Sequence, residues 1–333
     1  MTTLINGCWE TIGTGAAGTT WVYPVIGSDG NIWASSDASI IGRFTMAGVE
    51  TDFATTGANF SGNAPIINGP DGNIWVLSQN TMDTFDTSGT ILNTATLPTV
   101  LPNATMIGSA NYVWVCGDGG SSFINFFSQY DMAFGVTNYT SASFPALPGG
   151  SATTIFNSML IGSDGGSVYV FVNGQDTVGD FQAIYQVTES GVFTLLQYWR
   201  TPSVAPFTLS QTGLWDGSKF WLVGPNPVFY TMDTSGVVTT YTLASTYQVF
   251  AIAPSLDGSK VWMSGFATAT STRDDALKFD VSDPTTIEEI VTNNDPLSSY
   301  QTVVMGPDGW LWEPGLPMFH QIRCSGGGIV MLV

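Results

Sequence analysis

A chain of 333 residues with a single histidine offers few starting points for chemistry. That histidine, His320, follows Glu313 within the short stretch EPGLPMFH, on what reads as the next strand along. A carboxylate and an imidazole on adjacent strands can act as an acid–base pair once they come within hydrogen-bond reach. No second base and no ligand set accompanies them, and a lone histidine in an all-β chain is by default a structural or surface residue. There is no nucleophile elbow to build a Ser-His-Asp order on, and no glycine-rich phosphate loop opening a helix. The acidic run Asp274, Asp275, Asp280, Asp283, Glu288, Glu289 and Asp295 lacks the spacing of a calcium loop. It reads as a solvated outer strand whose charge discourages edge pairing. Cys8, Cys116 and Cys324 form no Cys-x-x-Cys and no zinc spacing with histidine, so buried free thiols are the default. The residues themselves thus call for no metal and no cofactor, and the expectation leans away from an enzyme.

The elements that must position these residues are announced by a repeat. Trp33, Trp75, Trp114, Tyr169, Trp221, Trp262 and Trp312 each follow a tight, mostly glycine-containing turn, at intervals of about 40 to 55 residues. The clearest copies are WVYPVIGSDG–NIWASS–IIGRFTMAG–VETDF and APIINGPDG–NIWVLS–MDTFDTSG–TILNTATL. Each contains four short runs rich in Ile, Val, Thr, Phe and Trp. Asp-Gly, Ala-Gly or Ser-Gly separates them, and Asp-Gly between apolar runs is a strong hairpin signal. The pattern predicts an all-β fold, a seven-bladed β-propeller of four-stranded antiparallel blades, with the anchor aromatics packed between sheets. Residues 21–333 are expected to form that single domain. Residues 1–20 are either a ring-closing strand or an N-terminal arm for a neighbouring subunit. A propeller brings its chain ends together, which would make Cys8 and Cys324 the pair to examine for a disulfide.

The third and fourth intervals are the long ones, and the segment SSFINFFSQYDMAFGVTNYTSASF is dense in aromatics. Extra residues in a repeat array become loops on one face, often the binding face. Phe123, Phe126, Phe127, Tyr130, Phe134 and Tyr139 are therefore the candidate binding residues. The competing reading is that they thicken the core between sheets.

The copies IIGRFTMAGVETDF, beginning at Ile40, and GPDGNIWVLS at 69–78 resemble the repeat of the streptogramin lyase (virginiamycin B lyase) family. The resemblance is good over the first two copies, partial in the last, and only a pattern between. It implies a seven-bladed propeller, and it implies an enzyme that opens a cyclic depsipeptide with histidines, a glutamate and a magnesium ion. The chain departs from that pattern in having one histidine and in replacing the acidic residue after the anchor: Trp33-Ala-Ser-Ser, Trp75-Val-Leu-Ser, Trp262-Met-Ser-Gly. Only Trp312-Glu313 keeps a carboxylate there. The family's chemistry, were it present, would rest on Glu313, His320 and magnesium.

Composition sets the remaining expectations. Seven Lys and Arg against 26 Asp and Glu give a net charge of −19, which repels phosphate backbones and anionic lipid and so excludes nucleic acid. No stretch is long and apolar enough for a membrane span. Charged residues make up only 10 % of the chain, leaving a surface of Ser, Thr, Asn and Gly. The first residues lack the basic and apolar regions of a secretory signal. These features together point to a non-catalytic structural or adhesion module. Its expected setting is a bacteriophage virion or the extracellular space, as a tail, fibre or decoration protein. Its expected partners are other virion or cell-surface proteins or glycans, and homo-oligomers are in keeping with such a role. The Asn-x-Ser/Thr sites at Asn59, Asn103 and Asn138 are at chance level for so Ser/Thr-rich a chain.

Overall fold

Strands and tight turns account for nearly all of the described backbone. The computed structural model describes residues 3–6, 9–12, 21–36, 39–57, 65–78, 81–97, 105–118, 125–150, 154–200, 213–224, 228–243, 247–255, 257–267, 274–292, 304–307, 311–314 and 319–322. Among these the only helical element is one 3-10 turn, Ser141–Ser143. The strands form separate antiparallel meanders, taken here in chain order. The first sheet is Trp21–Ile26, Ile32–Ser36, Ile40–Phe44 and Glu50–Ala54. The second is Ile66–Asn68, Ile74–Leu77, Thr81–Phe85 and Ile91–Thr96. The third is Thr105–Gly108, Val113–Asp118, Asn125–Tyr130 and Val136–Tyr139. The fourth has far longer strands, Thr154–Ser163, Ser167–Asp176, Gly179–Thr188 and Phe193–Arg200. The fifth is Leu214–Trp215, Lys219–Val223, Val228–Asp233 and Val238–Thr242.

The remaining two sheets recruit the N-terminal residues. Tyr247–Pro254, Lys260–Ala267, Asp274–Asp280 and Asp283–Thr292 form the sixth, with Thr3–Asn6 added in parallel to its outer edge. Val304–Met305, Leu311–Pro314 and Phe319–Ile322 form the last, completed by Trp9–Ile12 running antiparallel to Phe319–Ile322. Where seven four-stranded antiparallel blades were expected, six sheets have that form. The remaining sheet carries a fifth, parallel strand. The acidic strand Asp283–Thr292 is consequently an outer edge only over its first part, because Thr3–Asn6 pairs with Glu289–Thr292. The first strands of successive sheets abut one another in a closed cycle that returns from Val304–Met305 to Trp21–Ile26. This closed arrangement of radial four-stranded sheets is a β-propeller.

The hairpins close as their residue types require. In the first sheet Gly27 and Gly30 hydrogen-bond across the turn, and Gly30 has φ 74°, where a side chain would be strained. Gly27 is needed for a second reason: a Cβ there would lie 2.6 Å from Nε1 of Trp33, whose ring folds back over the turn. The anchors Trp33, Trp75, Trp114, Tyr169, Trp221, Trp262 and Trp312 are all essentially fully buried. Trp33, Trp75, Trp114, Tyr169, Trp221 and Trp312 each join a cluster shared by two neighbouring sheets, as Trp33 does with Ile66, Ile74 and Phe85. Burial of one such ring contributes on the order of 5 kcal/mol of gross hydrophobic stabilisation. Cys116 is a buried thiol outside any disulfide, whereas Cys8 and Cys324 lie outside the described residues.

Candidate functional site

An antiparallel meander places two of each sheet's turns at one end of the ring: the turn between its first and second strands and the turn between its third and fourth. Acidic side chains gather at that end, and hydrogen bonding defines what they do. The indole of Trp33 donates to Asp29 Oδ1 at 3.2 Å, that of Trp75 to Asp71 Oδ1 at 3.0 Å and that of Trp221 to Asp216 Oδ2 at 2.7 Å. In the fourth sheet the Tyr169 hydroxyl donates to Asp164 Oδ2 at 2.9 Å. The same carboxylates accept from the backbone of their own turns, as Asp71 does from Asn73 N at 3.1 Å. Burial pushes the Asp216 carboxyl up, but the donors Trp221, Lys219 and Ser218 outweigh it and hold the group below the usual range. Each carboxylate thus braces an anchor ring against its own turn. The recurrence of Asp four or five residues before the anchor was legible in the sequence as a signal for this bond.

The third sheet has no such aspartate, and its substitute comes from next door. Trp114 Nε1 donates to Ser109 Oγ at 3.1 Å, and Ser109 Oγ donates to Glu189 Oε1, in a turn of the fourth sheet, at 2.7 Å. Glu189 also accepts from Asn111 N at 2.9 Å and Nδ2 at 2.8 Å. Burial raises its carboxyl, and these donors bring it below the ordinary carboxylate value. Other contacts bridge blades in the same way. Arg43 Nη1 donates to Thr87 O at 2.6 Å, Gln129 Nε2 to Glu189 O at 2.7 Å and Lys219 Nζ to Val281 O at 2.8 Å. Arg43 and Gln129 stand directly opposite Trp33 and Trp114 in register, and Arg43 also lies over the Trp33 ring. Sequence reasoning missed Glu189 and this inter-blade set, because its members lie far apart along the chain.

Glu313 and His320 are brought together: they are direct cross-strand partners in the last sheet, with Thr11 opposite His320 on the other side. Cross-strand partners have Cβ atoms roughly 5 Å apart and point to one face. The register therefore supplies one carboxylate and one imidazole. That set suits magnesium poorly, since the ion favours oxygen donors in octahedral array. Among the described residues no group of three or more His, Cys, Asp or Glu could hold a metal ion.

The candidate binding aromatics are placed differently from an exposed loop. Phe127 and Tyr130 are buried, and Tyr130, with its phenol pushed up to about 12 by burial, belongs to the cluster around Trp75. Phe134 stacks on Trp75 with ring centroids 4.8 Å apart. Tyr139 stacks on Trp114 at 6.0 Å and donates to Gln129 Oε1 at 3.0 Å. Phe126 lies in the strand Asn125–Tyr130, and Phe123 is outside the described residues. Four of the six are thus built into the packing between sheets.

The extra length of the long repeats goes elsewhere, into the tall fourth sheet and the connection before it. At the far end of this sheet Arg200 makes a bidentate pair with Asp176, both contacts at 2.8 Å. The Asp176 side chain is fully buried and Arg200 about one-fifth exposed, at 21 %. Arg200 Nη2 also donates to Pro148 O at 3.3 Å, and the Tyr185 hydroxyl to Pro145 O at 3.0 Å, so the incoming connection is pinned to the blade.

No family model and no curated protein matches the sequence. Solved structures do match in fold. The chain is similar to a streptogramin B lyase, at 15 % identity and TM-score 0.64, over 95 % of this chain and 97 % of that one. It is equally similar to the β-propeller domain of Cps50 (Swd1) from Myceliophteria thermophila, at 9 % identity and TM-score 0.64, covering 95 % and 100 % of the two chains. The extracellular domain of the putative one-component system BT4673 from B. thetaiotaomicron follows at 12 % identity and TM-score 0.61, over 96 % of this chain and 40 % of that one. Identities this low establish the propeller fold, and neighbours of such different kinds carry no common activity.

Proposed function

We propose that this chain is a non-catalytic binding propeller, a rigid structural or adhesion module rather than an enzyme. The observation that carries this reading is the use of the acidic groups beside the anchors: Asp29, Asp71, Asp164 and Asp216 each accept from the ring of their own blade. Glu189 serves the third blade in the same way. Carboxylates engaged by several donors hold a scaffold still and are poorly placed to exchange protons with a substrate. The setting we propose is a bacteriophage particle, with virion or cell-surface proteins or glycans as partners. Support comes from a surface poor in charge and rich in Ser, Thr, Gly and Asn, on a net charge of −19 that disfavours nucleic acid. Mass spectrometry of density-banded particles tests it. A fixed ratio to a major coat or tail protein is expected, and a chain confined to the soluble fraction would overturn the particle setting.

A second reading is favoured by one observation, the direct register of Glu313 and His320. It is a lyase or hydrolase using that pair as acid and base, without the magnesium that the set suits poorly. Under it, H320A should abolish turnover of a cyclic depsipeptide. Unchanged turnover would remove the pair from any mechanism.

A further inference from the structure

The fourth sheet overhangs the fifth. Its second and third strands, Ser167–Asp176 and Gly179–Thr188, face Lys219–Val223 and Val228–Asp233, which are about half as long. Over their lower halves the facing surfaces are apolar, with Tyr169, Phe171 and Ile184 packed on Phe220, Leu222 and Tyr230. Beyond Phe171 the same face changes character. Asn173 and Gln182 are direct cross-strand partners on the two middle strands, and Trp199 follows Gln182 in the same transverse row. The next row contains Gln175 opposite Asp180. Gln182 Nε2 donates to Asn173 Oδ1 at 2.6 Å, and Gln175 Nε2 to Asp180 Oδ1 at 2.9 Å. Gln182 Oε1 is shielded from solvent and has no hydrogen-bond partner. An acceptor in that condition costs about 1–3 kcal/mol unless something donates to it.

We propose that this amide row is a binding site for a neutral carbohydrate. The proposal rests on, and deepens, the reading of the chain as a binding module. The chemistry selects the ligand. Asn and Gln each present a donor and an acceptor side by side, the combination that vicinal sugar hydroxyls satisfy in both directions. Turned outward on binding, Gln182 Oε1 would gain from a sugar hydroxyl the donor it lacks. Half-buried Trp199, at the outer end of the row, offers an apolar ring for the C–H face of a pyranose. The only charge in the two rows is the Asp180 carboxylate, and the chain as a whole carries −19, so acidic glycans are disfavoured. A row three strands wide, at roughly 4.8 Å per strand, accommodates about two sugar units.

The test is affinity electrophoresis of the full chain through gels containing dextran, mannan, galactomannan or xyloglucan, with tryptophan fluorescence read on titration. An extended-peptide library runs in parallel. At least one neutral polysaccharide should retard the chain, and Q182A and N173A should weaken that retardation tenfold or more with melting temperature unchanged. Trp199 also packs on the core below, so exposed Gln175 provides the second variant, and Q175A should weaken binding at least threefold. Retardation by no polysaccharide would overturn the proposal. So would binding that both Q182A and Q175A leave intact, or retention of peptides alone. A chain found in particles but not retarded sinks this inference and leaves the proposed function standing; a retarded chain absent from particles overturns the particle setting alone and leaves this inference standing.

Discussion

The first two sheets and the fourth solve the same packing problem by different means. The first two have short strands, a glycine-rich turn and an aspartate fixed to the anchor indole. The fourth keeps the turn aspartate, Asp164, on a tyrosine anchor and adds three ten-residue strands. Its end is closed by a buried ion pair, and it lends Glu189 to its neighbour. A blade can thus rest on a local turn motif alone or add a long-range solution to it. Only the local solution leaves a recognisable signature in sequence. The long-range solution is where room appears for surface chemistry beyond the shared core.

If the first two sheets depend on their anchors as this contrast implies, W75A should cost about 4 kcal/mol in chemical denaturation, the usual price of emptying a large core site. A loss below about 1 kcal/mol would mean that the ring tolerates a missing anchor and that the turn motif is ornamental. R200A, which strands the buried Asp176 carboxylate, should cost about 3 kcal/mol. An effect near zero would place this pair among ordinary surface pairs and leave the fourth sheet without its distinguishing support. E189A should cost about 2 kcal/mol, by leaving Ser109 and Asn111 without their acceptor. Because the loss falls on a neighbour, hydrogen exchange should quicken in the third sheet as well as the fourth; protection lost from the fourth alone would break the idea of shared bracing.

The smallest effect concerns pH and has opposite signs in the two regions. Glu50, on the outer strand of the first sheet, is pushed up to about 7 by burial and by neighbouring Asp52. A carboxyl raised in the fold favours the protonated form there, so its contribution is complete below the unfolded-chain value and fades as pH rises through about 7. Asp176 is held at about 2, chiefly by its hydrogen bonds from Arg200 against the opposing effect of burial. Its contribution is complete above the unfolded-chain value and is lost as pH falls through about 2. E50Q should therefore raise the melting temperature by a degree or two at pH 8 and leave it unchanged at pH 4. Equal shifts at both values would show that Glu50 titrates normally.

The β-propeller was readable because each blade repeats a local signal: Asp-Gly hairpins, alternating apolar runs and an anchor at a fixed offset. The parallel addition of Thr3–Asn6 was not readable, since nothing in four residues names a partner almost the whole chain away. The adjacency of Glu313 and His320 followed from their neighbouring strands and is present in the register. The aromatics Phe127, Tyr130, Phe134 and Tyr139 show the limit of composition as a guide. A surplus of rings says that area must be covered, and only the packing says whether a partner or the next sheet covers it. The amide row escaped notice because its members are separated by one hairpin each and align only once the register is known.

The strand Trp9–Ile12 completes a sheet whose other strands are Val304–Met305, Leu311–Pro314 and Phe319–Ile322. During translation it emerges before the intervening blades and finds its partner only after them. Until then its backbone donors and acceptors stay open, and the ring cannot shut however well the intervening blades have formed. Closure of the ring is therefore gated by synthesis of Phe319–Ile322: a product truncated before that strand would keep most of its blades and lose its closure. It would present a ready edge to any other strand nearby.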